Sequence, residues 1–219
     1  MSAGRRSLRL LPRDALVKTS DLDQGDWTYR PLLGSIMRLR FRAVRRMLAG
    51  RPAVGRLLEV GYGSGLLMPE LRTWCRELHG LDLHPHASAV TRRLSEHGVD
   101  ALLLTGGVTA MPYASGAFDA VLVISALEFV PDLDAAAQEL VRVLSPGGAL
   151  LVVTPERSPV LDLGLKLLTG ERAEDTFEGR RGLVVPALER MAEVVESRRL
   201  PPVLAPVLPL YRALVLERR

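Results

Sequence analysis

The chain of 219 residues is 47% apolar with a formal net charge of only +4, a balance that suits one large globular domain with a sizeable core. Its one cysteine, Cys75, excludes an internal disulfide and any cysteine-rich metal site. No apolar run approaches the roughly 18 residues of a membrane span, and the opening M-S-A-G-R-R-S-L-R-L-L-P-R has no continuous apolar segment, so no secretory leader is expected and the cytoplasm is the expected compartment.

Residues 1–20 are basic, lack periodicity and read as an arm. Residues 20–33 mix acids with Trp27 and Tyr29, and Pro31 closes any early element. From Ser35 to Ala49, Met37, Phe41, Val44 and Leu48 share one helical face while Arg38, Arg42 and Arg45 share another. A helix packed on the domain edge is the favoured reading; contact with a membrane surface through residues 35–49 is the second. The cluster Arg38, Arg40, Arg42, Arg45 and Arg46 allows an anionic partner but does not require one, and no nucleic acid is expected.

The centre of the sequence is L-L-E-V-G-Y-G-S-G-L-L-M-P-E-L, residues 57–71. An apolar run (Leu57, Leu58, Val60) predicts a buried strand that breaks on Gly61, Gly63 and Gly65 before Leu66, Leu67, Glu70 and Leu71 resume at helical spacing. Such a turn brings bare backbone N–H groups against a ligand. A dinucleotide fingerprint would need glycine where Leu66 stands. Glu59, two residues before the first glycine, is awkward beside a pyrophosphate and suits a ligand with an ammonium group. A nicotinamide dehydrogenase is disfavoured on both counts.

Strands and helices then alternate. Leu78 to Leu83 predicts a strand ending near Asp82, placed 21 residues past Gly61, where an open α/β fold puts the carboxylate for a ribose diol. A helix over His86 to His97, a strand over Ala101 to Leu104, a strand over Phe118 to Ile124 and a helix over Leu133 to Leu144 follow. Ser145-Pro146-Gly147-Gly148 is expected to stop that helix before a strand over Ala149 to Thr154. Residues 155–182 form a long insert with an apolar patch at Leu161, Leu163, Leu165, Leu167 and Leu168. A helix over Val185 to Met191 and strands over Val194 to Arg199 and Tyr211 to Leu216 close the chain. This order predicts an α/β, Rossmann-like, doubly wound, mostly parallel sheet, with ligand outside the strands' carboxyl ends.

Four segments, E-V-G-Y-G-S-G (59–65), G-L-D-L (80–83), M-P-Y-A-S-G-A-F-D-A-V (111–121) and L-V-R-V-L-S-P-G-G-A-L-L-V-V (140–153), resemble the core of the class I S-adenosylmethionine-dependent methyltransferases, in the group that includes the ubiquinone/menaquinone enzymes. The resemblance implies a seven-stranded sheet with an antiparallel last strand over residues 51–219, an N-terminal arm and helical lid over 1–50, and S-adenosyl-L-methionine as cofactor. It implies that Glu59, Gly61, Tyr62, Gly63, Ser64 and Gly65 hold the methionine part, that Asp82 accepts the ribose hydroxyls, and that Leu83 packs near the adenine. Gly107, Val108 and Thr109 would border the adenine; Ser125 and Leu127 would lie near the sulfonium. Many relatives read G-D-A where this chain reads Gly106-Gly107-Val108, so the adenine contact is expected to be weaker or to pass to Thr109.

Methyl transfer is an in-line displacement in which orientation supplies much of the catalysis, and a base is needed only where the acceptor loses a proton. Glu128, after the fourth strand, is the candidate base, with a capping acid as the alternative. His84 and His86 lack a carboxylate cluster beyond Asp82, so no metal is expected. S-A-L-E-F after the fourth strand is not the N/D-P-P-Y/F of adenine-amino methylation, and Cys75, expected inside the first helix, is misplaced for a nucleophile. A small, apolar acceptor under residues 20–49 and 155–182 is therefore expected, with Trp27 and Tyr29 over it. The alternatives are a binding protein of the same fold without methyl transfer, and a basic module for membrane or nucleic acid built on Arg38–Arg46.

Overall fold

Successive residues of a strand face opposite sides of a sheet, and in β1 (Val54–Val60) the neighbours Leu57 and Leu58 are both fully buried. A strand apolar on both faces belongs inside a sheet covered on each side. The computed structural model, which describes residues 7–20, 25–31, 33–156, 180–202 and 209–218, places it there. The sheet runs β3 (Leu102–Thr105), β2 (Cys75–Asp82), β1, β4 (Phe118–Ile124), β5 (Leu144–Pro155), β7 (Tyr211–Arg218), β6 (Ala192–Leu200). β1 to β5 pair in parallel, and β7 runs antiparallel between β5 and β6.

The helices are α1 (Leu33–Ala49), α2 (Met68–Leu71), α3 (Ala87–Glu96), α4 (Leu133–Arg142) and α5 (Val184–Met191). On one face Leu57, Leu122, Leu151 and Val215 pack with Phe41, Val44 and Leu48 of α1 and Val90 and Leu94 of α3. On the other, Leu58, Val121, Val123 and Val152 pack with Leu140 of α4 and Leu188 of α5. All four residues of the predicted apolar face of α1 are buried, each worth roughly 1.5–3 kcal/mol of transfer free energy. That face is taken up inside the protein. Among the described residues no helix is long and apolar enough to cross a membrane.

Two expectations are corrected. Cys75 does not lie in the helix after the glycine turn but opens β2, paired with Val54. That helix is only four residues long: Thr73 Oγ1 donates to the Glu70 carbonyl at 2.8 Å and Arg72 Nη1 to the Cys75 carbonyl at 2.9 Å, turning the chain into the ladder. Second, Ser145–Gly148 does not merely stop α4. It lies within β5 as a register shift against Phe118 and Ala120, with Gly147 at φ 74°.

The arm over residues 7–20 is docked. Leu11 is fully buried and its amide donates to the Leu66 carbonyl at 3.0 Å. The Arg9 amide donates to Glu70 Oε2 at 2.9 Å, and Tyr29 Oη donates to the Leu11 carbonyl. The apolar patch expected at Leu161 to Leu168 lies outside the described residues.

Candidate functional site

β1, β2 and β4 end side by side, and their carboxyl ends carry the predicted residues. Gly61, Gly63 and Gly65 adopt φ of 77°, 53° and 73°, a left-handed backbone that a side chain disfavours. At Gly61 the space is also taken: a Cβ there would stand 2.6 Å from the Cβ of Ala126. At Gly63 a Cβ would meet nothing within 4 Å, so that side of the loop is open.

Asp82, at the end of β2, accepts the Gly63 amide on Oδ2 at 2.8 Å and the His84 amide on Oδ1 at 3.3 Å. His84 Nδ1 accepts the His86 amide at 3.1 Å, which leaves the proton on Nε2, and Nε2 donates to the Gly63 carbonyl at 3.0 Å. Gly63 is thus gripped from both ends of its peptide units by β2 and the residues after it. His84 is loop scaffolding that the sequence pattern did not predict. Tyr62 is 4% exposed, its ring edge-on to His84 at 4.9 Å, so this loop residue sends its side chain into the core.

Glu59 is 4% exposed, and its Oε2 has no hydrogen-bond partner. Burial first, then the charge of Asp82, pushes its carboxyl up to about 8, against a lowering pull from Arg40. An uncharged, unpartnered carboxyl in the core costs stability, and such groups mark binding sites.

Past β4, Ser125 holds φ at 49°, a conformation that costs a residue with a side chain about 1–3 kcal/mol. Its amide donates to the Val153 carbonyl at 2.8 Å, while its Oγ is buried without a partner. The strained turn leads into a single 3₁₀ turn, Leu127–Phe129, which buries Leu127 and Glu128. Glu128 is 1% exposed, with Oε2 unpartnered. Burial pushes its carboxyl up to about 7 despite its own backbone hydrogen bond and the charges of Arg181 and Arg40. The Glu128 carboxyl also meets its own backbone N–H at the first turn of this segment, as a capping acid would.

Leu83 is exposed beside Gly107, whose missing Cβ would lie 3.7 Å from Leu83 Cδ1. Val108 packs under the turn and Thr109 is exposed. Trp27 and Tyr29 lie in the 3₁₀ segment Gly25–Tyr29 ahead of α1, Trp27 under the Arg30 guanidinium at 5.4 Å and Tyr29 tied to the arm. Ser64 is buried in the loop. Cys75 sits at the opposite end of β2 from the site, buried, its thiol pushed up to about 11 by burial. Among the described residues no three His, Cys, Asp or Glu gather as a metal site.

The charges of Arg40 and Arg181 bear on these carboxyls, Arg40 on both and Arg181 on Glu128. Arg40 follows Met37 by three residues and precedes Val44 by four, so helical spacing alone could have set it beside the buried face. Arg181 gave no such signal.

These residues fit S-adenosylmethionine: an unpartnered buried carboxyl for its ammonium group, an open glycine loop, and a strand-end aspartate within reach of a diol. A sequence profile described as a methyltransferase domain matches residues 58–152. The chain is 37% identical over 123 residues to a demethylmenaquinone methyltransferase of Thermus thermophilus, covering 55% of each chain. It is 36% identical over 110 residues to a ubiquinone biosynthesis O-methyltransferase of Xanthomonas axonopodis pv. citri, covering 49% of this chain and 46% of that one. The chain thus spans about half the length of the curated relatives it matches. The fold superposes on N-methyltransferase NodS of Bradyrhizobium japonicum, solved with S-adenosyl-L-homocysteine, at a TM-score of 0.63 and 18% identity over 90% of this chain and 93% of that one. Residues 58–152 are thus similar to a methyltransferase domain, set in a sheet that closes with an antiparallel last strand.

Proposed function

We propose that this protein methylates a small, mostly apolar molecule, with Glu128 taking the proton that the acceptor gives up. The observation that carries the reading is the pair formed by strained Ser125, just past β4, and buried Glu128, three residues on and inside the 3₁₀ turn that follows. A carboxyl with an apparent pKa of about 7 is ionised often enough at neutral pH to act as a base, and basic enough to be useful when ionised.

When bound, the cofactor supplies an electrophilic methyl on a sulfonium, whose carbon–sulfur bond breaks toward sulfur as the acceptor's electron pair forms the new bond. The chain's own residues do the rest. Glu59 and the amides of Gly61, Gly63 and Gly65 would fix the methionine end, and Asp82 the ribose. Leu83 and the turn at Gly107 would flank the adenine. Leu127 and the backbone at Ser125 would wall the reacting centre against water, and Glu128 would receive the proton on Oε2.

The named activities of the curated relatives point to a quinone-like ring as the class of acceptor to try first. Purified protein would be given methyl-labelled S-adenosylmethionine with a demethylmenaquinol or a polyprenyl catechol. Label in the organic extract, with kcat reduced by ~10²-fold or more in Glu128→Gln, is the expected result. Undiminished turnover in that variant would remove Glu128 from the reaction. Cofactor binding with no transfer to any acceptor would favour the binding-protein reading, which Gly107 keeps in view.

A further inference from the structure

The turn proposed to flank the adenine stands in the connection from β3 to β4, residues 106–117, whose described residues form no helix or strand. A loop without regular structure must find partners for its own backbone groups elsewhere. At its start the Gly106 amide donates to the Asp82 carbonyl at 2.8 Å, and the Ala110 amide closes a turn on the Gly107 carbonyl at 3.3 Å. Straight after that turn the anchor is a pair of side chains from the end of α4. Glu139 Oε2 accepts the Met111 amide at 2.7 Å. Arg142 Nη2 donates to the Met111 carbonyl at 3.1 Å, and Nη1 donates to the Tyr113 carbonyl at 2.7 Å.

A helix brings residues three apart to one side, so Glu139 and Arg142 stand together. Arg142 Nη2 donates to Glu139 Oε2 at 2.8 Å, and Nε donates to Oε1. With Ser115 Oγ 3.5 Å from Nη1, the five N–H donors of the guanidinium face five acceptors. The hydrogen bonds from Arg142 hold the Glu139 carboxyl below its usual range, so the pair is charged at neutral pH. The helix that carries it is well bedded. α4 buries Ala136, Ala137 and Leu140 against the sheet, and Asp132 caps its start, Oδ1 accepting the Ala135 amide at 2.9 Å. The turn Gly107–Ala110 is thus slung between β2 at one end and α4 at the other.

We infer that Glu139 and Arg142 are positioning residues for the cofactor: without touching it, they hold the turn Gly107–Ala110 in the shape that receives the adenine. The inference rests on the reading that gives this turn to the adenine. Gly107 has no side chain with which to grip the base, so recognition there falls on the shape of the backbone. A backbone shape is only as good as its anchors. Freed from the pair, the loop would hold the receptive shape for part of the time, and affinity would fall by that fraction. α4 opens soon after the Leu127–Phe129 turn and ends on Arg142, so one helix serves both the turn that carries Glu128 and the turn at Gly107.

The test pairs calorimetric titration with S-adenosylhomocysteine and amide hydrogen exchange over residues 106–113, read by mass spectrometry. Saturable binding to the wild-type protein is the first readout, and its failure would strike the methyltransferase reading rather than this one. Bound ligand should slow exchange over 106–113; no change there would strike the placement of the adenine, and the inference with it. In Arg142→Gln the residue 142 carbonyl can still accept the Gly116 amide, now at 2.9 Å, so β4 should keep its entry. Exchange over 106–113 should quicken in that variant, and affinity should fall ~10-fold. Glu139→Gln keeps an oxygen for the Met111 amide and should lose only ~3-fold. Arg93→Gln breaks an ion pair of the same spacing on α3, Arg93 Nη1 to Glu96 Oε2 at 3.0 Å, and should move neither readout. Quicker exchange with unchanged affinity in Arg142→Gln would mean that the pair only stabilises the fold, and overturns the inference. Lost affinity with unchanged exchange, or an equal loss in Arg93→Gln, overturns it as well. Should Arg142→Gln fail to fold, Glu139→Gln decides by the same two readouts.

Discussion

Asp82 Oδ2 accepts the Gly63 amide at 2.8 Å, so the carboxylate at the end of β2 holds the glycine loop. Removing it would loosen the loop and take away the diol acceptor together. Asp82→Ala is expected to weaken S-adenosylhomocysteine binding by ~100-fold, the loss of two charge-assisted hydrogen bonds. Asp82→Asn keeps one oxygen for the Gly63 amide and should lose only ~10-fold. Calorimetric titration of the three proteins checks this, and equal affinities for wild type and Asp82→Ala would remove Asp82 from the site.

Glu59 couples cofactor binding to pH. Its carboxyl, pushed up to about 8 by burial, is mostly protonated at pH 7 in the ligand-free protein. An ammonium group beside it favours the carboxylate, so binding at pH 7 should release about one proton. Affinity for S-adenosylhomocysteine should therefore rise by up to ~10-fold per pH unit as pH increases towards about 8, and the release should vanish in Glu59→Gln. Titration at pH 7 in phosphate and in Tris, whose ionisation enthalpies differ, measures the proton count directly. Identical heats in the two buffers would mean that Glu59 enters the complex already ionised.

Glu128 makes the opposite kind of statement, about stability. Its folded pKa of about 7 lies above the ordinary 4.5, so between those values the folded chain holds a proton that the unfolded chain has lost. The associated stability is fully present below about pH 4.5 and is lost as pH rises through about 7. Glu128→Gln cannot ionise and escapes this loss. At pH 8 the variant is expected to be more stable than wild type by ~1–3 kcal/mol relative to the difference at pH 5, or ~2–4 °C in Tm for each kcal/mol. Calorimetric melting at both pH values reads it; a gap that does not change with pH would show that Glu128 is ionised in the folded protein throughout.

Much of this fold was legible because the strands are apolar runs with hard edges. Phe118 to Ile124 was predicted to the residue, since Gly116 precedes it and the turn at Ser125 follows. The glycine loop was legible for a related reason: three positive φ values demand three glycines. Legibility failed where distant contacts outweigh local pattern. Leu71 to Cys75 continues a helical spacing, yet pairing of Cys75 with Val54 turns it into a strand. The arm shows no periodicity because it is held by single hydrogen bonds and one buried leucine, Leu11, rather than by a repeating face. The effect of Arg40 and Arg181 on the carboxyls was not legible because Glu59 and Glu128 lie on other elements.

Gly107 offers a gain-of-function test. The resemblance implies an aspartate at this place that accepts a hydrogen bond from the adenine amino group, and this chain has no side chain there. The structure has room for one: a Cβ at Gly107 would meet Leu83 Cδ1 at 3.7 Å and Thr109 Oγ1 at 3.9 Å, both ordinary contacts. Its φ lies outside the left-handed region, so the backbone accepts a substitution without strain. Gly106 differs, because its Cβ would press on Leu81 Cδ1 at 3.0 Å. Gly107→Asp should therefore fold as well as wild type and bind S-adenosylhomocysteine ~5–10-fold more tightly, the worth of one hydrogen bond to a charged acceptor. Gly107→Ala fills the same space without the acceptor and should change affinity little. A gain in the aspartate variant alone would place the adenine beside this turn. Equal affinity in all three proteins would mean that the adenine lies elsewhere, and that Thr109 or the backbone at Gly106 makes the contact instead.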